Sequence, residues 1–380
     1  MRAGILTFHR ANNFGAVLQA YALQQTIKKF SWDCDIIDYT REKYKDVFIW
    51  QKNKIKNFLN DRKDKQPYTY QEFIHLMLGE QYFYRENGKQ FADFRNKYMQ
   101  MSQPVVKKTI SQLNNQYDLF IAGSDQIWNP GRINIELTYM LDFVSEPNKK
   151  GSYAASFGVT EIPQNYLNTY KRVFEDIKYL SVREQAGADI IWKLTGRTAE
   201  VVLDPTFLLS PTEWDKLSES SDSKNYIIVY QLGEYSETLM NFAHTLSYKT
   251  GLPIRLILTR KCRYKADEYC KHMGPGQWLT QIKNARYIVT NSFHGVAFSI
   301  IYNKNFFVEI TEERLRTSMA SRIKDLLEMF HLENRLIKHG VNEYWNIPID
   351  YQQVNQRLTQ KQTESKSYLK NMLSVEEKNQ

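Results

Sequence analysis

The sequence predicts an α/β protein whose two halves, each built on a parallel sheet, face one cleft. Three observations carry that prediction. Short apolar, β-branched runs alternate with helix-patterned segments along most of the chain. The opening segment reads as strand, polar Gly-containing turn, helix and strand, a βαβ unit whose crossover makes its strands parallel. A polar patch, Ser218 to Lys224, then separates one run of such units from a second. At 380 residues and 42% hydrophobic, the chain has material for two ordinary cores.

In order, residues 4–8 (GILTF) form the first strand, and His9 to Gly15 the turn after it. A helix follows from about Ala16 to Phe30, because Ala16, Ala20, Leu23, Ile27 and Phe30 share one face. Asp35 to Tyr39 (DIIDY) is the next strand. The first turn therefore opens toward the cleft, where Asn12 and Asn13 suit sugar hydroxyls, or simply shape a loop. Residues 41–110 read as a helical insertion broken at Pro67 and Gly88. Strand character returns at Tyr117 to Ala122 and delivers Gly123, Ser124, Asp125, Gln126 and Trp128 in close succession. Asp125 can take a proton from a hydroxyl and Trp128 can stack on a sugar; equally, the one can cap a turn and the other pack. Lys150 to Gly158 is a further strand, a helix spans about 163–178, and Tyr179 to Glu184 places Arg183 at a strand's carboxyl end. A guanidinium there grips a carboxylate or phosphate with two parallel bonds, or pairs with Glu184 or a neighbour. Val201 to Leu203, ending in Asp204-Pro205-Thr206, closes this half.

The second half repeats the pattern with strands at Tyr226–Gln231, Pro253–Thr259, Tyr287–Thr290 and Phe306–Ile310. Its most informative stretch is the turn Asn291-Ser292-Phe293-His294-Gly295, followed by an apolar helix over Val296–Tyr302. Ligands of open α/β sheets bind outside the carboxyl ends of strands. Gly295 lets backbone approach a bound group, and the helix start offers N–H groups and a positive dipole end to an anion. His294 beside it can donate a proton, or it can be a buried histidine at a helix start. The Arg-rich run Arg314, Arg316 and Arg322 is placed to reach the same cleft, and residues beyond Tyr351 read as a polar helical tail. The expected domains are 1–217, with the insertion at about 41–110, then 225–345, then 346–380.

Charge and composition narrow the partners. No run of about eighteen apolar residues occurs, and Met1 leads almost straight into a strand, so a cytoplasmic protein is expected. Three cysteines, Cys34, Cys262 and Cys270, are too few for a disulfide framework. Cys262, Cys270 and His272 fit no common zinc spacing, so no metal is expected. Of the net charge of +9, most lies between Arg41 and Lys108, where 15 Lys and Arg meet 8 Asp and Glu. Without a nucleic-acid-binding motif, that surplus excludes nucleic acid as the expected partner. A peripheral contact with an anionic membrane at its inner face fits the charge, as does an ordinary solvated helical surface.

Six segments in order resemble the polysaccharide pyruvyl transferase family: GILTFHRANNFGAVLQAYAL, FIAGSDQIWNP, YAASFG, SVRE, VVLDPT and NSFHG with its following helix and strand. They span most of residues 1–330, leaving 41–110 uncovered. The resemblance implies two Rossmann-like domains facing a central cleft, a GT-B-like fold. It implies transfer of the pyruvyl group of phosphoenolpyruvate onto a glycan as a ketal, with release of phosphate and no cofactor; the basic segment fits a lipid-linked oligosaccharide acceptor. On this resemblance the family's donor-binding arginine falls on Arg183 and its histidine on His294; the reading of the turn and the Arg-rich run adds Ser292, Phe293, Gly295, Arg316 and Arg322 to the donor side. Asn12, Asn13, Ser124, Gln126 and Trp128 line the acceptor side, with His294 and Asp125 as acid and base. Many members carry Arg-Leu-His where this chain has Ser292-Phe293-His294, so one donor cation must come from Arg314, Arg316 or Arg322. A sugar-nucleotide glycosyltransferase of the same fold and a silent glycan-binding protein are the alternatives.

Overall fold

A computed structural model of the protein describes residues 1–41, 88–131, 137–219, 225–233, 235–259, 262, 264–310, 319–337 and 343–374. Most of the expected insertion, residues 42–87, lies outside the described residues, as do Arg314 and Arg316. Two parallel sheets form the frame. The first has β1 (Arg2–Leu6), β2 (Asp33–Ile36), β3 (Leu119–Ala122) and β4 (Lys150–Ser152) in the order β2-β1-β3-β4. A short parallel pair, β5 (Ser181–Val182) and β6 (Glu200–Val201), continues it past β4 through bridges at Gly151–Tyr179 and Ala155–Val182. The second sheet holds β7 (Ile227–Tyr230), β8 (Ile254–Ile257), β9 (Glu268–Cys270), β10 (Tyr287–Thr290) and β11 (Asn305–Val308), ordered β11-β10-β7-β8-β9.

Every pairing in both sheets is parallel. Parallel strands are covered by helices on both faces, which explains why Ile5, Ile121, Ile228, Val229 and Val289 are fully buried and why these strands read as continuous apolar runs. The order reverses direction between β1 and β3 in the first sheet and between β7 and β10 in the second. Those are the two switch points, the places at which open α/β sheets bind their ligands. The fold is thus the two-sheet, GT-B-like α/β arrangement expected from the sequence.

One apolar core runs through both halves. Phe14, at the start of the helix Phe14–Lys29, stacks on Trp278 of the helix Pro275–Asn284, with ring centroids 5.4 Å apart. Trp278 in turn meets Phe298 edge-on at 5.2 Å, and Trp214 meets the same ring at 5.0 Å. The last helix, Tyr351–Leu373, is no free tail. Tyr351 donates to the carbonyl of Ser299 in the second half at 3.2 Å. Farther along, Ser365 Oγ accepts the Leu203 N–H at 3.0 Å and Tyr368 donates to the Ser152 carbonyl at 3.0 Å, both in the first half. At 1.5 Å per residue, about 35 Å of helix straps the two sheets together.

Element edges differ from the sequence reading where local capping decides them. The first helix starts at Phe14 because Asn13 caps it, accepting the Ala16 N–H at 3.0 Å. The helix after β10 starts at Phe293 because Ser292 caps it, so His294 and Gly295 lie in its first turn and not in a loop. The second strand is Asp33–Ile36 and not 35–39, though Ile37 and Tyr39 remain buried beyond its end. Leu369 is fully buried where the last helix meets the first half. Leu369→Ala should therefore cost about 2–5 kcal/mol of stability, read from the denaturant midpoint; a change under about 0.5 kcal/mol would show that the strap contributes nothing.

Candidate active site

The two switch points meet at one carboxylate. Asp204 follows β6 and is fully buried, a position a charge tolerates only with partners. Its Oδ1 accepts the Thr206 N–H at 3.0 Å and the Thr206 hydroxyl at 2.8 Å. Its Oδ2 accepts Arg183 Nη1 at 2.8 Å, lies 3.3 Å from Ser124 Oγ, and sits 3.6 Å from His294 Nε2. Arg183 comes from the end of β5 and His294 from the helix Phe293–Ile301, on the other sheet. The arginine and the imidazole, distant in sequence, therefore converge on a single acid. Burial alone would raise the Asp204 carboxyl, but His294, Arg183 and the Thr206 N–H together hold it well below the usual carboxylate range.

Arg183 is the second pole of the cluster. Its guanidinium lies over the Phe293 ring at 4.7 Å, a cation–π contact. Asp125 stands 3.8 Å from Nη2 and Glu184 3.9 Å from Nε, both too far for hydrogen bonds. Nη2 and Nε are thus enclosed donors without a hydrogen-bond acceptor, as is His294 Nε2. Burial works against the charge on Arg183, yet Asp204, Asp125 and Glu184 outweigh it and raise the guanidinium further. Three carboxylates around one arginine leave the corner rich in negative charge. Glu184 Oε1 is occupied by the Ser156 hydroxyl at 2.7 Å and the Phe157 N–H at 3.0 Å, which ties the SVRE and YAASFG segments together.

The opening turn closes in from the first sheet. Gln19 donates to Thr7 Oγ1 at 2.9 Å and accepts the Ser124 N–H at 3.0 Å, locking the β1 and β3 turns together. Gly15 lies directly against His294: a Cβ built on it would stand 1.9 Å from Nδ1. That glycine is required by the imidazole rather than by the helix that carries it.

The expected residues separate into distinct environments. His294, Arg183, Ser124 and Asp125 surround the Asp204 corner, with the Asp125 side chain 18% exposed and its backbone at φ 71°. Asp125 also accepts its neighbour's N–H, from Gln126, at 2.8 Å. Phe293 supports Arg183, and Ser292 caps the helix. Gly295 packs on Thr290, where a Cβ would come within 2.5 Å of Oγ1, and its N–H is taken by Ser292 Oγ at 3.3 Å. The close approach it permits is to strand β10. Trp128 is fully buried between Phe157 and Phe174 and donates to the Tyr139 carbonyl at 3.2 Å, so it presents no open face to a sugar. Gln126 is buried beside Gly158, Asn13 is spent on capping, and Asn12 is exposed on the turn. Among the described residues no group of His, Cys, Asp and Glu could hold a metal ion. No described helix is long and apolar enough to cross a membrane.

Two residues that the sequence reading left without a role complete the site. Asp204 sat in a recognised segment, and its place at a strand's carboxyl end was the available signal. Asp325 on the helix Met319–Phe330 reaches across to the Gln185 N–H, and burial, then the nearby Glu184, push its carboxyl up to about 6. Arg322 is buried three residues earlier on the same helix, and such spacing shares a face. The folded protein holds the Asp325 proton up to about pH 6, whereas an unfolded chain releases it near 3.9. This carboxyl therefore costs stability as pH rises from about 4 to 6 and a constant amount above. Asp325→Asn should raise the melting temperature at pH 7 and leave it unchanged at pH 3.5; equal shifts at both would refute the assignment.

The family model described as polysaccharide pyruvyl transferase matches residues 13–309. No curated protein matches the chain. Among solved structures it is similar to UDP-GlcNAc 2-epimerase from Methanocaldococcus jannaschii, at 11% identity and a TM-score of 0.44, with 94% of this chain and 92% of that one covered. It is also similar to the trehalose-6-phosphate phosphatase N-terminal domain from Candida albicans (10%, TM-score 0.48, 98% and 98% covered). MurG from Acinetobacter baumannii is a third (10%, TM-score 0.40, 98% and 92% covered). At these identities and TM-scores the likenesses carry no argument about this chain. The matched span takes in Gly15, Asp125, Arg183, Asp204 and His294, the residues of the buried cluster, and the chain belongs to the polysaccharide pyruvyl transferase family.

Proposed function

We propose that the protein transfers the pyruvyl group of phosphoenolpyruvate to two hydroxyls of a cell-surface polysaccharide or its precursor, forming a ketal and releasing phosphate. The observation that carries this reading is the convergence of Arg183 and His294 on Asp204. The reaction needs a proton delivered to the methylene carbon, charge neutralisation around the donor, and removal of protons from the attacking hydroxyls. His294 supplies the first, its imidazole held between Gly15 on the Nδ1 side and Asp204 on the Nε2 side. Protonation makes C2 of the donor electrophilic; one hydroxyl adds there, phosphate leaves, and the second hydroxyl closes the ketal. The atoms balance, since the two hydroxyl protons replace the one given to carbon and the one taken by the departing phosphate.

Arg183 offers Nη2 and Nε to the donor while Nη1 stays on Asp204. Asp125, partly open to solvent, is the base for the hydroxyl. Because three carboxylates surround Arg183, the donor's charge needs a second cation. Arg322, on the helix face turned toward Gln185, and Arg314 and Arg316, outside the described residues, are the candidates. The surplus of carboxylates is also the observation that favours a silent glycan-binding protein. Glycan binding without any phosphate release from phosphoenolpyruvate, across a panel of acceptors, would decide for that reading. The basic segment 41–108 supports a peripheral membrane contact and a lipid-linked acceptor.

Two measurements test the proposal. Incubated with phosphoenolpyruvate and glycan, the protein should release inorganic phosphate and increase the mass of the glycan by one pyruvyl ketal. His294→Ala should lower that rate by about 10²–10⁴-fold. Nucleoside diphosphate release from a sugar nucleotide would instead identify a glycosyltransferase, and near-normal turnover of the variant would remove His294 from the acid role. Gly15→Ala adds a methyl group that must displace the imidazole from Asp204, so turnover and melting temperature should both fall; full activity would show that His294 can leave Gly15 at no cost.

A further inference from the structure

A second charged cluster lies at the carboxyl ends of β1 and β2, outside the Asp204 corner. Its centre is Asp38, nearly buried, and Arg10 forks onto it with Nε to Oδ1 and Nη2 to Oδ2, both at 2.6 Å. His9 is fully buried beside them, with Nε2 3.0 Å from Asp38 Oδ1 and Nδ1 3.1 Å from the Thr7 carbonyl. A third basic side chain, Arg95, comes from the helix over 88–98, whose first residue lies against Asn12 of the opening turn. Arg95 Nη1 is enclosed and has no hydrogen-bond acceptor, although Asp38 is close enough to act on its charge. Burial and the neighbouring Arg10 both work against the charged form of Arg95. One carboxylate, its oxygens already committed to Arg10 and His9, therefore leaves Arg95 nearby without a paired acid among the described residues. An enclosed guanidinium donor without an acceptor is costly, and an anion bound beside it would satisfy it and relieve the repulsion.

We propose that Arg10 and Arg95 form a subsite for a phosphate group carried by the acceptor, so that the glycan is recognised as a phosphate-linked conjugate and not as a free sugar. A phosphate presents several non-bridging oxygens and can meet two forks at once, whereas a carboxylate fills only one. Arg10 has its Nη1 edge left for this, since only Nε and Nη2 are engaged. The placement rests on the pyruvyl-transfer reading only for the word acceptor; the anion site itself stands on Arg10, Arg95 and Asp38.

Titration of inorganic pyrophosphate into the full-length protein tests it without turnover. Arg95→Gln should weaken pyrophosphate about 10–100-fold. Arg95→Lys, which keeps the charge but loses the fork, should fall between and shows that the effect is not unfolding. Short prenyl diphosphate and uridine diphosphate then separate the sources. Displacement by the first assigns a lipid carrier, displacement by the second alone a nucleotide carrier, and displacement by neither overturns the subsite. Loss of binding in Arg183→Gln but not in Arg95→Gln would also overturn it, since the anion would then belong to the donor site.

Discussion

A buried carboxylate between two sheets governs this molecule. Asp204 can remain ionised inside the protein only because Arg183, Thr206 and His294 surround it, and those partners come from both halves. Taking away one partner of a buried charge is far more damaging than the net worth of the pair suggests, because the other charge is left uncompensated. The relative position of the halves and the geometry of the cleft are for that reason one problem. The aromatic stack of Phe14, Trp278 and Phe298 and the strap formed by the last helix hold the sheets at the separation at which this contact forms.

Charge is distributed unevenly around that contact. The Asp204 corner gathers three carboxylates about Arg183, and a fourth acid, Asp325, keeps its proton to about 6. Positive charge instead concentrates at the far side of the first switch point, around Arg10 and Arg95, and in the basic segment to which the helix over 88–98 belongs. A trianionic donor and a phosphate-linked acceptor make different demands on such a surface. On the present account, the donor is taken where proton transfer is organised and the acceptor where cations are abundant.

The frame was legible in the sequence because parallel strands buried on both faces must be apolar throughout, as in Tyr287–Thr290 and Tyr226–Gln231. Strand β9, Glu268–Cys270, was not legible: it pairs only with β8 at the sheet edge, so its outer residues Glu268 and Tyr269 stay exposed. His294 and Arg183 could be picked out because both stand at strand ends, yet the acid that joins them could not. Convergence on Asp204 is a tertiary fact. Trp128 misled for a related reason, since a tryptophan after a strand looks alike whether it faces a cleft or the rings of Phe157 and Phe174. The start of the helix after β10 was misplaced because the Ser292 cap, one residue before two aromatic rings, resembles a continuing turn.

The central claim is that Arg183 and His294 act on one donor molecule beside Asp204. A crystal structure of the protein with phosphoenolpyruvate bound tests it most directly. The account predicts the donor's carboxylate or phosphate within hydrogen-bond reach of Arg183 Nη2 or Nε, and its methylene carbon facing the imidazole. Phosphoenolpyruvate seated elsewhere, with the Arg183–Asp204–His294 cluster untouched, would contradict it.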